Sequence, residues 1–509
     1  MIKRRTAIAL FISCLIFSAH LTATPQDTDD ASPTENILGF VLHDRVNGGQ
    51  PQKKVHVKPE PLILLQQFKA NLLSYLKEYE KPIQVETRVE ILTSETWKQT
   101  LGELPPLMAK TQINAQGEGE TELLMSAVEI QDQAVLLNWQ GLSGQLNFSE
   151  SLAQIKAQIQ FKDLLFKDNT HQLSLTGAQS ESQFDADLIP VNIIFKIPKL
   201  TLEDKDKTLN IQKVDLNFAV EKTATGVELN EGFLTLGQLE FQQADRTEIS
   251  LNHFKITSDG TVKDDQVHYA LHTEIGQLSL PGFEPQAAIT YVSDLDLRHI
   301  DAEALKALQH TARKLQKQHQ QGMISKEMLN FAMLGKLMEV MPQLLARSPQ
   351  LALSRVHLKT PQGSLQGKAT LRMNGQKATS FEAFTGLLNA LEGQANFSID
   401  KTLLTIMISS QIQQRLKTEQ PELSAAERQA QAEQLTEERI QSYLQKKWLV
   451  TGPEDRYKIV AQLSEGQLSV NGVKVPLPFL EPPQAAVTTH QDSAEPHTQE
   501  TPPQPAQEN

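Results

Sequence analysis

Apolar and polar residues alternate along much of the chain between about Gln84 and Leu297. One apolar row consists of Leu216, Phe218 and Val220. Another consists of Val267, Tyr269, Leu271 and Ile275, with Thr273 in the same row. Side chains that recur with a period of two lie on one face of a strand, so this pattern predicts half-buried β-strands.

Turn signals containing glycine interrupt these rows about every ten residues. Connections this short leave no room for the crossover helix that two parallel strands need, so the strands should pair antiparallel. The predicted fold class is α+β, mainly antiparallel β, with an elongated curved or multi-hairpin sheet and a few flanking helices. Each strand has one apolar face, which must pack on a second sheet, on helices or on a hydrophobic ligand.

Other segments have helical spacing. Residues 62–80 place several leucines on one face, which predicts a single docking helix. Asp301 is a favourable N-cap for a further helix, and another helix should begin after Gly322. Strand signals resume at residues 351–373, and residues 393–407 are a further strand candidate.

The C-terminal part carries the clearest local signals. Ser424 and Glu427 have the spacing of a capping box, which predicts a helix that extends to about Lys447. Asn471 and Gly472 lie between two short apolar alternations, as in a hairpin with a type I′ turn.

The chain divides into five regions by composition and pattern. They are a signal segment at 1–23, a polar tether at 24–61, a helix with antiparallel strands at 62–300, a helical and β region with a terminal hairpin at 301–480, and a disordered, acidic, proline-rich tail at 481–509. One short apolar stretch at residues 37–42 interrupts the polar tether.

The N-terminus has the pattern of an export signal. Lys3, Arg4 and Arg5 precede an apolar run at residues 7–19, which is shorter than a bilayer span of about 20 residues. Two outcomes stay open, namely cleavage after Ala23 and retention as a short N-terminal anchor. The expected location is the periplasm, with the protein either soluble or attached to the inner membrane through this segment.

Cysteine usage argues against lipidation, and the net charge argues against a nucleic-acid partner. Cys14 is the only cysteine, and its position in the middle of the apolar run disfavours lipidation. The formal net charge of −13 argues against a nucleic-acid partner, because neutralising phosphates needs clustered Lys and Arg.

Two sequence stretches carry a family resemblance. The run at residues 337–368 contains a helix, a proline-bounded turn, a strand and the turn KTPQG at residues 359–363, and the run at residues 466–475 reads GQLSVNGVKV. Both resemble the YdgA-like family of bacterial envelope proteins, over about residues 85–480 and most strongly after residue 300. The resemblance implies an exported, β-rich protein and no assigned activity.

No pattern of residues predicts catalysis, a cofactor or a metal. His268 and His272 lie four residues apart in an alternating strand, which separates them by about 13 Å, too far to share one ion. We therefore predict no catalytic, cofactor-binding or metal-ligating residues.

Methionines cluster on one predicted helix, where five of the ten fall between Met323 and Met341. An apolar stripe at helical spacing consists of Met328, Phe331, Leu334, Met338 and Met341. Flexible methionines can line a surface that accepts apolar partners of varied shape, but the same stripe could pack in the core. We therefore treat these five residues as a candidate apolar binding face.

Three functional hypotheses follow. The first is a non-enzymatic envelope protein that binds a hydrophobic partner, either lipid-like or an envelope polypeptide, on an apolar sheet face. The second is a structural or assembly factor with a closed core and no ligand. The third is an enzyme with an unfamiliar site. The oligomeric state does not follow from the sequence.

Overall fold

A computed structural model describes residues 37–51, 55–58, 61–95, 98, 102–131, 135–244, 246–280, 288–320, 323–377 and 388–475. In these residues the strands form one large sheet, and every strand pair is antiparallel. The predicted α+β class with mainly antiparallel strands is therefore confirmed. The predicted signal segment at 1–23 and the predicted acidic tail at 481–509 lie outside the described residues.

The sheet begins with thirteen strands. They are β1 (Ile37–Val46), β2 (Val55–Val57), β3 (Ile83–Thr93), β4 (Leu107–Ile113), β5 (Gly119–Met125), β6 (Val128–Gln131), β7 (Val135–Trp139), β8 (Leu142–Phe148), β9 (Ile155–Phe161), β10 (Leu164–Asp168), β11 (His171–Thr176), β12 (Ala178–Phe184) and β13 (Pro190–Asp204).

Twelve further strands follow. They are β14 (Lys207–Lys222), β15 (Glu228–Gln243), β16 (Arg246–Lys263), β17 (Gln266–Ser279), β18 (Ile289–Asp301), β19 (Gln350–Thr360), β20 (Gly363–Met373), β21 (Leu391–Asp400), β22 (Val450–Thr451), β23 (Arg456–Ser464), β24 (Gln467–Val470) and β25 (Val473–Val475). The long α-helices of the described residues are α1 (Pro61–Glu78), α2 (Ala302–Gln320), α3 (Lys326–Ala346), α4 (Lys401–Glu419) and α5 (Ala425–Gln445).

The N-terminal half of the sheet folds back on itself at β13. Residues of β13 up to Lys196 pair with β12, whereas residues from Lys199 onward pair with β11. The sheet therefore divides into two branches at β13. In one branch the strand order is β12, β9, β8 and β5, and in the other it is β11, β10 and β7. Both branches supply one core, in which Trp139 of β7 stacks on Phe161 of β9 at a ring distance of 5.0 Å.

From β13 onward the sheet is a meander of long, sequentially paired strands. One residue in each of five neighbouring strands is left out of the pairing, and these residues are Pro198, Lys213, Gly237, His253 and Gly276. Lys213 and His253 have positive φ angles, and a Cβ atom on Gly237 would lie 2.9 Å from Cβ of Lys213. The five unpaired positions oppose one another without a shift in register and form a line across the sheet, and a side chain at Gly237 would crowd Lys213.

The first helix and the first strand are held together by a buried carboxylate. Asp44 of β1 accepts hydrogen bonds from Tyr75 and Asn71 of α1 at 2.6 and 2.7 Å, and from Thr87 of β3 at 2.6 Å. Burial and this hydrogen bond to Asp44 raise the pKa of Tyr75. The predicted docking helix at 62–80 is present as α1.

The prediction of a polar tether at 24–61 is wrong for residues 37–46. Residues 37–46 form β1, which pairs along nine residues with β3, and Val41 and Leu42 are 1% exposed. The short apolar stretch at residues 37–42 is surrounded by polar and turn-forming residues, so local composition favours a tether. Pairing with a distant strand buries Val41 and Leu42 nevertheless.

Helices α2 and α3 form a hairpin inserted between β18 and β19. Asp301 caps α2 by accepting from the backbone N–H of Ala304 at 2.9 Å, as its N-cap position predicts. It also accepts from Gln343 and Arg347 near the end of α3. Because β18 pairs with both β17 and β19, the sheet continues without a break across the predicted boundary at residue 300.

Helices α4 and α5 form a second hairpin, inserted between β21 and β23. The capping box of Ser424 and Glu427 is confirmed by both of its hydrogen bonds. Asn471 and Gly472 connect β24 to β25 with positive φ angles, which confirms the predicted turn. The strand candidate at residues 393–407 is wrong after Asp400, because Lys401–Met407 belongs to α4.

Candidate functional site

One face of the sheet carries apolar side chains from strand to strand. Residues that pair directly across a ladder lie on the same face. One row consists of Leu271, Leu295, Leu353, Ala369, Ala395 and Ala461. The neighbouring row consists of Leu297, Leu351, Leu371, Gly393, Leu463 and Leu468. We call this face of the sheet the inner face.

The inner face is covered at its margins. Phe195 and Leu216 on β13 and β14 pack into the core shared by the two branches. Leu305 of α2 packs near Val267 at one end of the strands. At the opposite end, helices α4 and α5 cover inner-face residues that include Tyr457. The margins of the inner face are therefore conventional packed core.

Between these margins the inner face is only half covered. Leu271 and Leu297 are each 38% exposed, Leu351 is 44% exposed and Leu371 is 40% exposed. An open hollow of about 240 Å³ lies over β18 to β24, and we call it the leucine hollow. Its apolar lining residues are Leu295, Leu351, Leu353, Ala369, Leu371, Ala395, Ala461, Leu463 and Leu468. None of the described residues that line the leucine hollow is Asp, Glu, His, Lys, Arg, Cys or Tyr.

The opposite, outer face of the same strands is polar. His272 donates to Asp294 at 2.6 Å, and Arg355 donates to the other oxygen of Asp294 at 2.7 Å. The hydrogen bond from His272 and the contact with Arg355 hold the pKa of Asp294 below its ordinary value. These contacts are cross-strand pairs that stabilise the sheet.

The two histidines considered for a metal site have separate surroundings. His272 is occupied by Asp294, whereas His268 lies edge-on to His299 at a ring distance of 5.6 Å. Burial, together with the neighbouring His299, lowers the pKa of His268. Within the described ranges, no group of three or more His, Cys, Asp or Glu side chains is placed to hold a metal ion.

The candidate stripe on α3 lies at the surface. Met328 is 59% exposed, Phe331 is 79%, Leu334 is 56% and Met338 is 54%, while Met341 is half-buried. The first four therefore share one exposed face of α3, which is not part of the packed core. That this stripe binds an apolar partner stays a prediction.

The exposure of the stripe has a measurable consequence. We expect Phe331→Ala and Met338→Ala each to change the free energy of unfolding by less than about 1 kcal/mol, because little apolar area is buried at either side chain. Removal of a phenylalanine ring that is packed in the core would instead lower the free energy of unfolding by about 3 to 5 kcal/mol. Denaturant unfolding of both variants measures this difference, and a loss in the larger range would show that the ring is buried in solution.

The apolar spacing in the long strands indicates the inner face, although strict alternation alone does not reveal it. In β14 the alternating apolar residues are Leu209, Ile211, Val214, Leu216, Phe218 and Val220, so the alternation skips one residue at the unpaired Lys213. Residues on both sides of the unpaired position pack against the same core, as Ile197 and Leu200 do around Pro198 in β13. A search for strict alternation therefore divides one long strand into two short ones.

Comparisons with known proteins agree with a bacterial origin. The model of the family described as "Bacterial protein of unknown function (DUF945)" matches residues 83–184 and 166–478. No curated protein and no solved structure matches the chain. Among the helices of the described residues, none combines the length and apolar character needed to cross a membrane.

Proposed function

Because the chain belongs to DUF945, a family of bacterial proteins of unknown function, we propose its role from the geometry of the inner face. We propose that it is a non-enzymatic envelope protein that holds a hydrophobic, lipid-like partner against the leucine hollow. The narrower assignment to the YdgA-like envelope proteins is part of this proposal.

The single observation that supports this role is the half-exposed leucine surface between two capping helical hairpins. Leu351 and Leu371 pair directly across β19 and β20, and each leaves about two-fifths of its surface in contact with solvent. Removing apolar area from water is favourable by about 25 cal/mol per Å². A contiguous apolar surface is therefore a candidate for binding an acyl chain.

The proposed location is the periplasm, with export directed by residues 1–23. This part of the proposal is supported by the basic residues Lys3, Arg4 and Arg5 ahead of a short apolar run. A fusion of residues 1–30 to a reporter that is active only outside the cytoplasm should be active. A silent reporter would contradict the proposed location while leaving the binding role open.

The binding role is tested by native mass spectrometry of the gently purified protein. We expect a mass above that of the polypeptide, with the extra mass released as lipid on collisional activation. The same spectrum gives the number of subunits. A lipid-free mass, together with no uptake of a neutral fluorescent acyl probe, would contradict the proposed role.

A structural or assembly role is the second candidate, and the exposed stripe on α3 favours it. Phe331 is the most exposed large apolar residue among the described residues. A surface of this kind on a helix fits a polypeptide partner, since flexible methionine side chains adapt to apolar contacts and phenylalanine offers a large apolar ring. Loss of a co-purifying protein from Phe331→Ala, with acyl-probe binding unchanged, would support this candidate.

A further inference from the structure

A second, separate groove lies between α1, the turn from β12 to β13, and α2. Its volume is about 630 Å³, which is in the range of ligand pockets. Leu73 of α1 and Leu188 and Ile189 after β12 form an apolar wall. The Lys and Arg side chains that line the groove are Lys69, Arg313, Lys314 and Lys317, and His310 and Asp187 also line it. The groove thus combines an apolar wall with cationic groups.

Acidic residues neutralise two of these four cations. Lys317 forms an ion pair with Asp187 at 2.6 Å. Arg313 lies 3.4 Å from Asp185 and 2.6 Å from Glu228. Both pairs also connect α2 to the rest of the fold. Arg313 and Lys317 therefore have a structural role that leaves them little capacity for a ligand.

The other two cations have no ion pair within the described part of the chain. The Lys69 ammonium donates to the backbone carbonyl of Ala186, and Lys314 is exposed at the rim. Burial lowers the pKa of Lys69, although Asp187 and Asp185 act in the opposite direction. Two unpaired ammonium groups beside an apolar wall stand out in a chain with a formal net charge of −13.

We propose that this groove binds a single-chain anionic lipid, with the carboxylate of a long-chain fatty acid near Lys69 and Lys314 and its acyl chain against Leu73, Leu188 and Ile189. The charge of the unpaired lysines complements an anionic head group. The apolar wall would contribute nothing to the binding of a small inorganic anion. This site is distinct from the leucine hollow and does not depend on it.

The experiment measures the affinity of the full-length protein for oleate and for methyl oleate, which has the same chain without the charge. We expect the wild-type protein to bind oleate on the order of tenfold more tightly than the ester. The double variant Lys69→Gln, Lys314→Gln should lose that preference. Lys77→Gln, on the same helix but outside the groove, should keep it.

A charge-reversal variant and a competition with inorganic phosphate distinguish a lipid site from a site for small anions. The charge reversal Lys314→Glu changes an exposed side chain, so it should fold normally and weaken oleate binding at least as much as neutralisation does. Inorganic phosphate should not displace oleate, and displacement would show a free-anion site and overturn the proposal. Equal oleate affinity in the wild-type protein and the double variant would also overturn it.

A variant of the leucine hollow separates the test of this groove from the test of the proposed function. A variant with Leu351→Glu and Leu371→Glu alters only the leucine hollow, so it should retain the preference for oleate over its ester if the groove binds the lipid. Loss of the preference in that variant would place anion recognition at the inner face and contradict a site between α1 and α2.

Discussion

We expect replacement of Asp44 by alanine to lower the free energy of unfolding by about 3 kcal/mol. The Asp44 side chain is buried and accepts hydrogen bonds from Tyr75, Asn71 and Thr87 at 2.6 to 2.7 Å. Its removal leaves the Tyr75 and Thr87 hydroxyl groups in the interior without this acceptor. An unsatisfied buried donor costs about 1 to 3 kcal/mol, and relief of carboxylate desolvation offsets part of the sum.

The loss should be concentrated at α1, since two of the three donors lie on that helix. Hydrogen exchange of the α1 amides should speed up more than exchange in the meander. Asp44→Asn, which keeps one acceptor oxygen in a side chain of the same shape, should lose less stability. Equal stability of Asp44→Ala and the wild-type protein would show that the carboxylate does not hold α1 in place.

The second large effect concerns ligand binding at the inner face. We expect the double variant Leu351→Glu, Leu371→Glu to bind a neutral acyl probe at least about tenfold more weakly than the wild-type protein. Both side chains line the leucine hollow, and a carboxylate at either position would lose water on contact with an acyl chain. Fluorescence titration with the neutral probe measures the change.

Stability should change little in this variant, because Leu351 is 44% and Leu371 is 40% exposed before substitution. Val460→Glu is a matched control. Val460 is 47% exposed and pairs with Asn396 on the outer face, beside the inner-face residue Ile459 on the same strand. The control should bind the probe as the wild-type protein does. Equal weakening by both changes would point to a general effect of charge instead of a site on the inner face.

Local features were predictable because their causes are local. The capping box at Ser424, the N-cap at Asp301 and the turn at Asn471 and Gly472 each depend on a few neighbouring residues. Periodicity also predicted the antiparallel strands and α1. By contrast, the strand in the predicted tether depends on pairing with β3, from Val46 with Val85 to Ile37 with Thr93, and local composition does not report such distant pairing.

Unlike a cap or a turn, the exposure of an apolar face does not depend on neighbouring residues alone. The spacing of Met328, Phe331, Leu334 and Met338 establishes that they share one side of a helix, but not what lies opposite that side. The same limit applies to the sheet, whose inner face is core beneath α4 and α5 and half-exposed at Leu351. Whether an apolar row is core or surface depends on elements placed by distant contacts.

The sequence by itself determined most of the strand and helix types, the antiparallel pairing and the apolar rows, because backbone period, capping and short connections act over a few residues. Only the tertiary structure decided which apolar rows are covered, how the sheet folds at β13, and that Lys69 and Lys314 line one groove. Those properties arise from contacts between residues far apart in the chain, such as Lys69 on α1 and Lys314 on α2, and no local spacing encodes them.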